Sequence, residues 1–142
     1  MEKLTKEAKK IMEERFGKDN VISLATAKDN IPYVRSVNAY YEDKAFYVVT
    51  YGLSNKMKHI EKNPTVAIAG DWFTAHGEGV NLGAFGRPEN GSLAEKLKNV
   101  FAEWIDNGHT DLSDENTCIL RIKLTEGILF SHGKRYEIDF TD

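Results

Sequence analysis

The residues of this 142-residue chain best suited to chemistry are two cations in unusual settings. In Tyr33-Val34-Arg35-Ser36-Val37-Asn38-Ala39, strand alternation sets Arg35 on one face with Tyr33, Val37 and Ala39, and leaves Val34, Ser36, Asn38 and Tyr40 on the other. No acid precedes Glu42 in that strand, and the planar fork of a guanidinium suits a phosphate or a carboxylate. Further along, Ser54-Asn55-Lys56 opens a short helix whose first turn carries Lys56 and Lys58 and no acid before Glu61. The free amides and dipole of a helix N-terminus favour negative charge, so this composition is the reverse of what the isolated helix wants. A phosphate docked there would receive backbone N–H groups, the Ser54 hydroxyl and a lysine ammonium. Pattern alone leaves two other accounts open: a solvated pair of lysines, and an arginine that snorkels to solvent or pairs with a distant carboxylate.

Other candidates carry less. His59, His76, His109 and His132 are scattered singly without ligand spacing, so no metal site is expected. Gly77-Glu78-Gly79 lacks the third glycine of a dinucleotide loop, Leu82 standing in its place, and no crossover helix follows. Cys118, the single cysteine, lies in an apolar strand and reads as a structural thiol. A net charge of −3 with 19 basic and 22 acidic residues gives no stripe for nucleic acid and no polybasic membrane segment. The charged N-terminus is no signal peptide and no apolar run reaches membrane-spanning length, so a cytoplasmic protein is expected.

The elements that must position these cations follow from periodicity. Leu4, Ala8, Ile11, Met12 and Phe16 recur at helical spacing and stop at Gly17. Strands are expected at 21–26, 33–41 and 45–50, joined by turns at Asp29-Asn30 and Glu42-Asp43. The helix from Ser54 must end before Pro64. Strands at 65–71 and within 72–87 precede a helix that a Ser92/Glu95 capping box would start and that Leu93, Leu97, Val100, Phe101, Trp104 and Ile105 would stripe. A polar loop at 109–116 leads to a strand at 117–124, and a strand pair at 128–131 and 136–140 ends the chain. Six or seven strands, mostly linked by tight turns, with three helices argue a single α+β domain over 1–142 built on an antiparallel barrel.

The order Pro32-x-Val34-Arg35-x-Val37, Phe46-Tyr47-Val48-Val49-Thr50, Ser54-Asn55-Lys56 and His59-Ile60-x-x-Asn63-Pro64-x-Val66-Ala67 resembles the pyridoxamine 5′-phosphate oxidase-like flavoproteins, and within them the short bacterial general stress proteins. The resemblance spans roughly residues 4 to 130. It implies a split β-barrel with flanking helices that binds FMN in a groove between the subunits of a homodimer. Carried over, Arg35 and Lys56 would hold the phosphate with Ser54 and Asn55 near it. Ser36, Val37 and Asn38 would run beside the isoalloxazine, Val49 and Thr50 would line the ribityl side, and the partner subunit's Trp104 helix or its 108–112 loop would approach the ring.

Two departures qualify the activity the resemblance implies. Glu78 stands where the oxidase has a glutamine facing the flavin, so the carboxylate either points elsewhere or is held protonated. The chain ends Gly133-Lys134-Arg135-Tyr136-Glu137-Ile138-Asp139-Phe140, without the arginine- and histidine-containing segment with which the true oxidases grip their substrate. The expected function is therefore an FMN-dependent oxidoreductase that reduces a small molecule with electrons from a nicotinamide, rather than a pyridoxamine phosphate oxidase. The alternatives are a flavin-binding stress sensor or buffer without turnover, and a barrel that takes a deazaflavin or haem, though no axial ligand for haem stands out.

Overall fold

The computed structural model describes residues 1–142. Its elements run β1 (Glu2–Lys3), α1 (Lys6–Phe16), β2 (Asn20–Lys28), β3 (Ile31–Glu42), β4 (Ala45–Tyr51), α2 (Asn55–Lys62), β5 (Thr65–Gly70), β6 (Phe73–Ala84), a 3₁₀ turn at Pro88–Asn90, α3 (Gly91–Val100), β7 (Thr117–Ser131) and β8 (Lys134–Asp139). The sheet order is β1-β8-β7-β4-β3-β2-β5-β6, and an additional β6–β7 pairing closes the six strands β2 to β7 into a barrel. All barrel pairings are antiparallel. β8 extends β7 outside the barrel and β1 pairs with it in parallel. Closure leaves no barrel edge open to another strand.

Alternation sorts side chains as the sequence predicts. Ile22, Leu24, Phe46, Val48, Val66, Ile68, Leu120 and Ile122 point inward into a core of 21 buried residues. Two-residue turns close the hairpins at Asp29-Asn30 and Asp43-Lys44, where all four residues have positive φ, the geometry that matches strand twist. The second turn lies one residue later than expected.

The helices α1 and α2 plug opposite ends of the barrel. Phe16 packs on Phe46 and Phe73 with ring centroids 5.5 Å away in each case, and lies against Gly70. Ile60 of α2 lies against Gly79, where an added Cβ would sit 2.8 Å from Ile60 Cγ2, so the glycine is what lets this helix seat. The third helix lies outside the barrel, over a smaller cluster of Phe85, Ala94, Leu97, Phe101, Ile105 and Ile119.

Three expectations need correction. The strands expected at 117–124 and 128–131 are one strand of 15 residues. Its pairing with β6 shifts between His76 and Gly77, so that Thr125 is an extra residue. That bulge moves the buried positions from Leu120, Ile122 and Leu124 to Gly127 and Leu129, and the slip of phase looks like a break in the sequence. The Ser92/Glu95 capping box does not form, because the preceding 3₁₀ turn starts α3 at Gly91 and places Ser92 inside it. Asn90, at the cap position, instead donates to the Leu82 and Ala84 carbonyls at 3.0 and 2.9 Å and ties the helix entry to β6. The regular helix ends at Val100, so Phe101, Trp104 and Ile105 cover the small cluster from successive turns rather than from a helix.

Candidate functional site

The α2 end of the barrel gathers the cations. Arg35 points inward from β3, opposite Leu24 of β2. Its three hydrogen bonds all run through Nη1: to Thr26 Oγ1 at 2.8 Å, to the Leu24 carbonyl at 3.2 Å and to the Tyr33 carbonyl at 3.4 Å. Nε and the second amino group of the fork remain free, and no carboxylate pairs with the guanidinium. Burial lowers its pKa from the usual arginine value.

Ser54 is the N-cap residue of α2 in backbone conformation, yet its side chain caps nothing, and the first turn contains no acid. The Ser54 hydroxyl instead accepts from Lys56 Nζ at 3.4 Å. Lys56 also has no carboxylate partner, and its pKa is lowered first by burial and then by the charge of Arg35. The two cations are thus within Coulombic reach of one another, repelling, beside unpaired helix amides. A dianion placed between them would relieve the repulsion, satisfy the amides and accept the free arginine donors.

The other residues expected to line the site lie on several elements of the barrel. Asn55 begins α2 but lines a polar cavity of about 450 Å³ between α2 and the β2–β3 turn, together with Lys58, His59 and Lys62. Thr50 is buried on the inner face, and with Val49 it lines a cavity of about 470 Å³ beneath the loop that carries His109, Asp111 and Asp114. Val49 also packs on the small outer cluster, and Val37 packs against the main core. Ser36 and Asn38 face outward, as alternation requires. Glu78 is exposed on the outer face, opposite Thr65 and Lys123.

Trp104 and Asn38 are linked within one chain through Asp19. Asp19, just before β2, accepts from Asn38 Nδ2 at 3.0 Å and from Trp104 Nε1 at 3.1 Å. The sequence reading missed Asp19, and it missed Thr26 and His59 as parts of the site. Thr26 Oγ1 lies 2.8 Å from His59 Nδ1, and the His59 ring packs on Tyr33 at 4.8 Å. Thr26 had a legible signal: it is the polar residue at an inward position after Ile22 and Leu24. Cys118 is buried, its thiol pKa raised by that burial.

A closed six-stranded antiparallel barrel with flanking helices, an uncapped helix N-terminus and an inward arginine at one end is a split β-barrel. The chain matches the pyridoxamine 5′-phosphate oxidase family over residues 4–130, and it belongs to that family. Among solved structures, General Stress Protein 26 from Bacillus anthracis superposes with a TM-score of 0.68 at 18% identity, covering 92% of this chain and 98% of that one. An FAD-binding protein from Mesorhizobium loti gives 0.66 at 18% identity over 82% and 89%. A haem-binding protein from Mycobacterium smegmatis gives 0.65 at 12% identity over 87% of this chain and 54% of its own. At such identities these neighbours establish the fold alone. A search of curated protein sequences gives no match. No helix is long and apolar enough to cross a membrane.

Proposed function

We propose that this protein binds FMN through the Arg35–Lys56 site and serves as a flavin-dependent reductase of a small molecule. The observation that carries the reading is the Arg35 fork: one amino group is anchored inside the barrel while its other donors have no partner, and the second unneutralised cation, at an uncapped helix N-terminus, lies within its electrostatic reach. Lys56, Ser54 and the first amides of α2 complete the phosphate cradle, with Asn55 beside it. The family membership favours a flavin over other phosphates. Bound there, FMN would supply hydride and electron transfer between a nicotinamide donor and a substrate, and the chain supplies anchoring, orientation and exclusion of water.

On this reading Ser36, Val37 and Asn38 present their backbone to the ring, with Asn38 and Trp104 held in place by Asp19. The protein acts as a cytoplasmic homodimer. Support for the dimer comes from the outer face of β2, β3 and β5, where Val34 is 69% and Val21 62% exposed. In register around them lie small residues: Ser23 faces Ser36 and Ala69, and Ala25 faces Val34 and Ala67. Such a face of small and apolar side chains can be buried against a second copy.

Titration of the purified protein with FMN and with riboflavin tests the reading. FMN is expected to bind at least about tenfold more tightly, and Arg35→Ala or Lys56→Ala to remove that preference by lowering FMN affinity about 10- to 100-fold, the scale of a charge-assisted hydrogen bond. Equal affinity for the two flavins would refute the phosphate assignment. Anaerobic addition of NADH or NADPH then separates turnover from storage: bleaching of the flavin supports the reductase, and its absence supports a binding protein. The haem-binding neighbour makes haemin the control ligand, a Soret shift without flavin binding favouring a different occupant.

A further inference from the structure

The phosphate reading explains Arg35 and Lys56 but not why a threonine hydroxyl is buried in an apolar barrel behind them. Thr26 is 2% exposed and occupies an inward position that valine would fill with the same shape and without a polar atom. Its oxygen accepts from Arg35 Nη1 at 2.8 Å, the shortest of the three bonds to that amino group. A guanidinium can only donate, so the Thr26 oxygen is the acceptor from Arg35, and its hydroxyl proton is available to His59 Nδ1, 2.8 Å away, in the ring tautomer that carries its proton on Nε2. His59 is itself 9% exposed and held against Tyr33. It also sits one turn after Lys56 on α2.

We infer that Thr26 is a positioning residue for the phosphate site, orienting the Arg35 fork and, through His59, fixing it relative to the helix that carries Lys56. This inference rests on the phosphate reading above. The Arg35–Thr26–His59 chain crosses from β3 through β2 to α2, linking the two halves of the site that strand and helix contribute separately. His59 holds the hydroxyl rotor so that a Thr26 lone pair faces the guanidinium. Without the hydroxyl, Arg35 keeps only the two longer bonds to backbone carbonyls, and repulsion from Lys56 favours turning its fork away from the site. Thr26 touches no ligand on this view. Its effect appears only through the phosphate.

The test compares FMN with riboflavin in Thr26→Val, Thr26→Ser and His59→Phe. Thr26→Val is expected to lower FMN affinity about 5- to 20-fold, around the lower end of the range for a bond to a charged group because two other acceptors remain. Riboflavin affinity is expected to stay within twofold, and Thr26→Ser to restore FMN affinity to within twofold of wild type. His59→Phe keeps an aromatic ring beside Tyr33 but cannot take the Thr26 proton, and is expected to show a smaller FMN-selective loss; it carries the test if Thr26→Val does not fold. In an Arg35→Ala background, Thr26→Val is expected to have no further effect.

Wild-type FMN affinity in both variants, equal losses for the two flavins, or a Thr26→Val loss that persists without Arg35 would overturn the positioning role. A wild-type protein that does not distinguish FMN from riboflavin would instead overturn the phosphate reading, and the role of Thr26 with it.

Discussion

The two helices that plug the barrel are built on opposite electrostatic plans. At the N-terminus of α1, the Thr5 hydroxyl accepts from the Ala8 amide at 3.2 Å, Glu7 lies in the first turn and Arg15 in the last. Each feature complements the helix dipole. α2 has no side-chain cap, no acid in its first turn and Lys56 at its start. The inner faces differ too: α1 contributes Ala8, Met12 and Phe16 to the core, all apolar, whereas α2 contributes Met57 and Ile60 together with a buried histidine bonded to a buried threonine. One helix satisfies itself. The other leaves amides and positive charge unanswered, which is the arrangement expected where an anion completes the structure.

The contrast predicts that damage at the two ends will read out differently. Met12→Ala, at a fully buried position of α1, is expected to cost about 2–5 kcal/mol in urea unfolding while FMN affinity of the folded protein is unchanged. An equal loss of affinity would show that the two ends are not separable. Gly79→Ala forces a methyl group against Ile60 and is expected to cost about 1–3 kcal/mol. Because α2 must shift to accept it, this variant is expected to lose FMN affinity as well, measurable by flavin fluorescence.

Smaller effects sharpen the cap comparison. Thr5→Ala removes a cap that is made and is expected to lower stability by about 1 kcal/mol. Ser54→Ala removes a hydroxyl that caps nothing, so ligand-free stability is expected to change by less than about 0.5 kcal/mol while FMN affinity falls. Comparable destabilisation by both substitutions, seen in thermal melts without ligand, would break the contrast.

The smallest effect is a pH dependence. The pKa of Lys56 lies below the ordinary lysine value because burial and Arg35 disfavour its charged form. Between that lowered value and about 10.4, the unfolded chain keeps a proton that the folded chain has released, so this residue's contribution to stability rises with pH. Below the window the penalty is fully present. Lys56→Met removes it, and the stability of the ligand-free wild type relative to Lys56→Met is therefore expected to improve as pH rises through the window. FMN affinity should fall over the same range, since the ammonium that holds the phosphate is being lost.

Much of this was legible in the residues themselves. Period-two alternation placed Arg35 on the face it shares with Tyr33, Val37 and Ala39, and the composition of the first turn exposed the missing acid at α2. Where the reading failed, a non-local contact had overridden a local signal. The Ser92/Glu95 pattern is a sound local motif, but Asn90 ties that helix entry to β6 and moves its start. The strand that looked like two is continuous because a bulge opposite β6 shifts its phase at Thr125, and no window of β7 alone contains the partner strand. Asp19 and His59 are ordinary residues in their own segments, and although Thr26 stands out as a polar residue at an inward position, the partners of all three appear only when the segments pack together.

The sequence alone determined the strand and helix periods, the residues that share a strand face with Arg35, the reversed charge of the α2 first turn and the family resemblance, because each is a property of short stretches of chain. Tertiary structure alone decided that Arg35 and Lys56 come near enough to repel, that one side of the guanidinium is engaged while the other stays free, and that Thr26 stands behind it. Those facts depend on strand register, on barrel closure through β6 and β7, and on the seating of α2 against Gly79. A phosphate site needs donors from several segments converging on one small volume, and convergence is a property of packing rather than of any single segment.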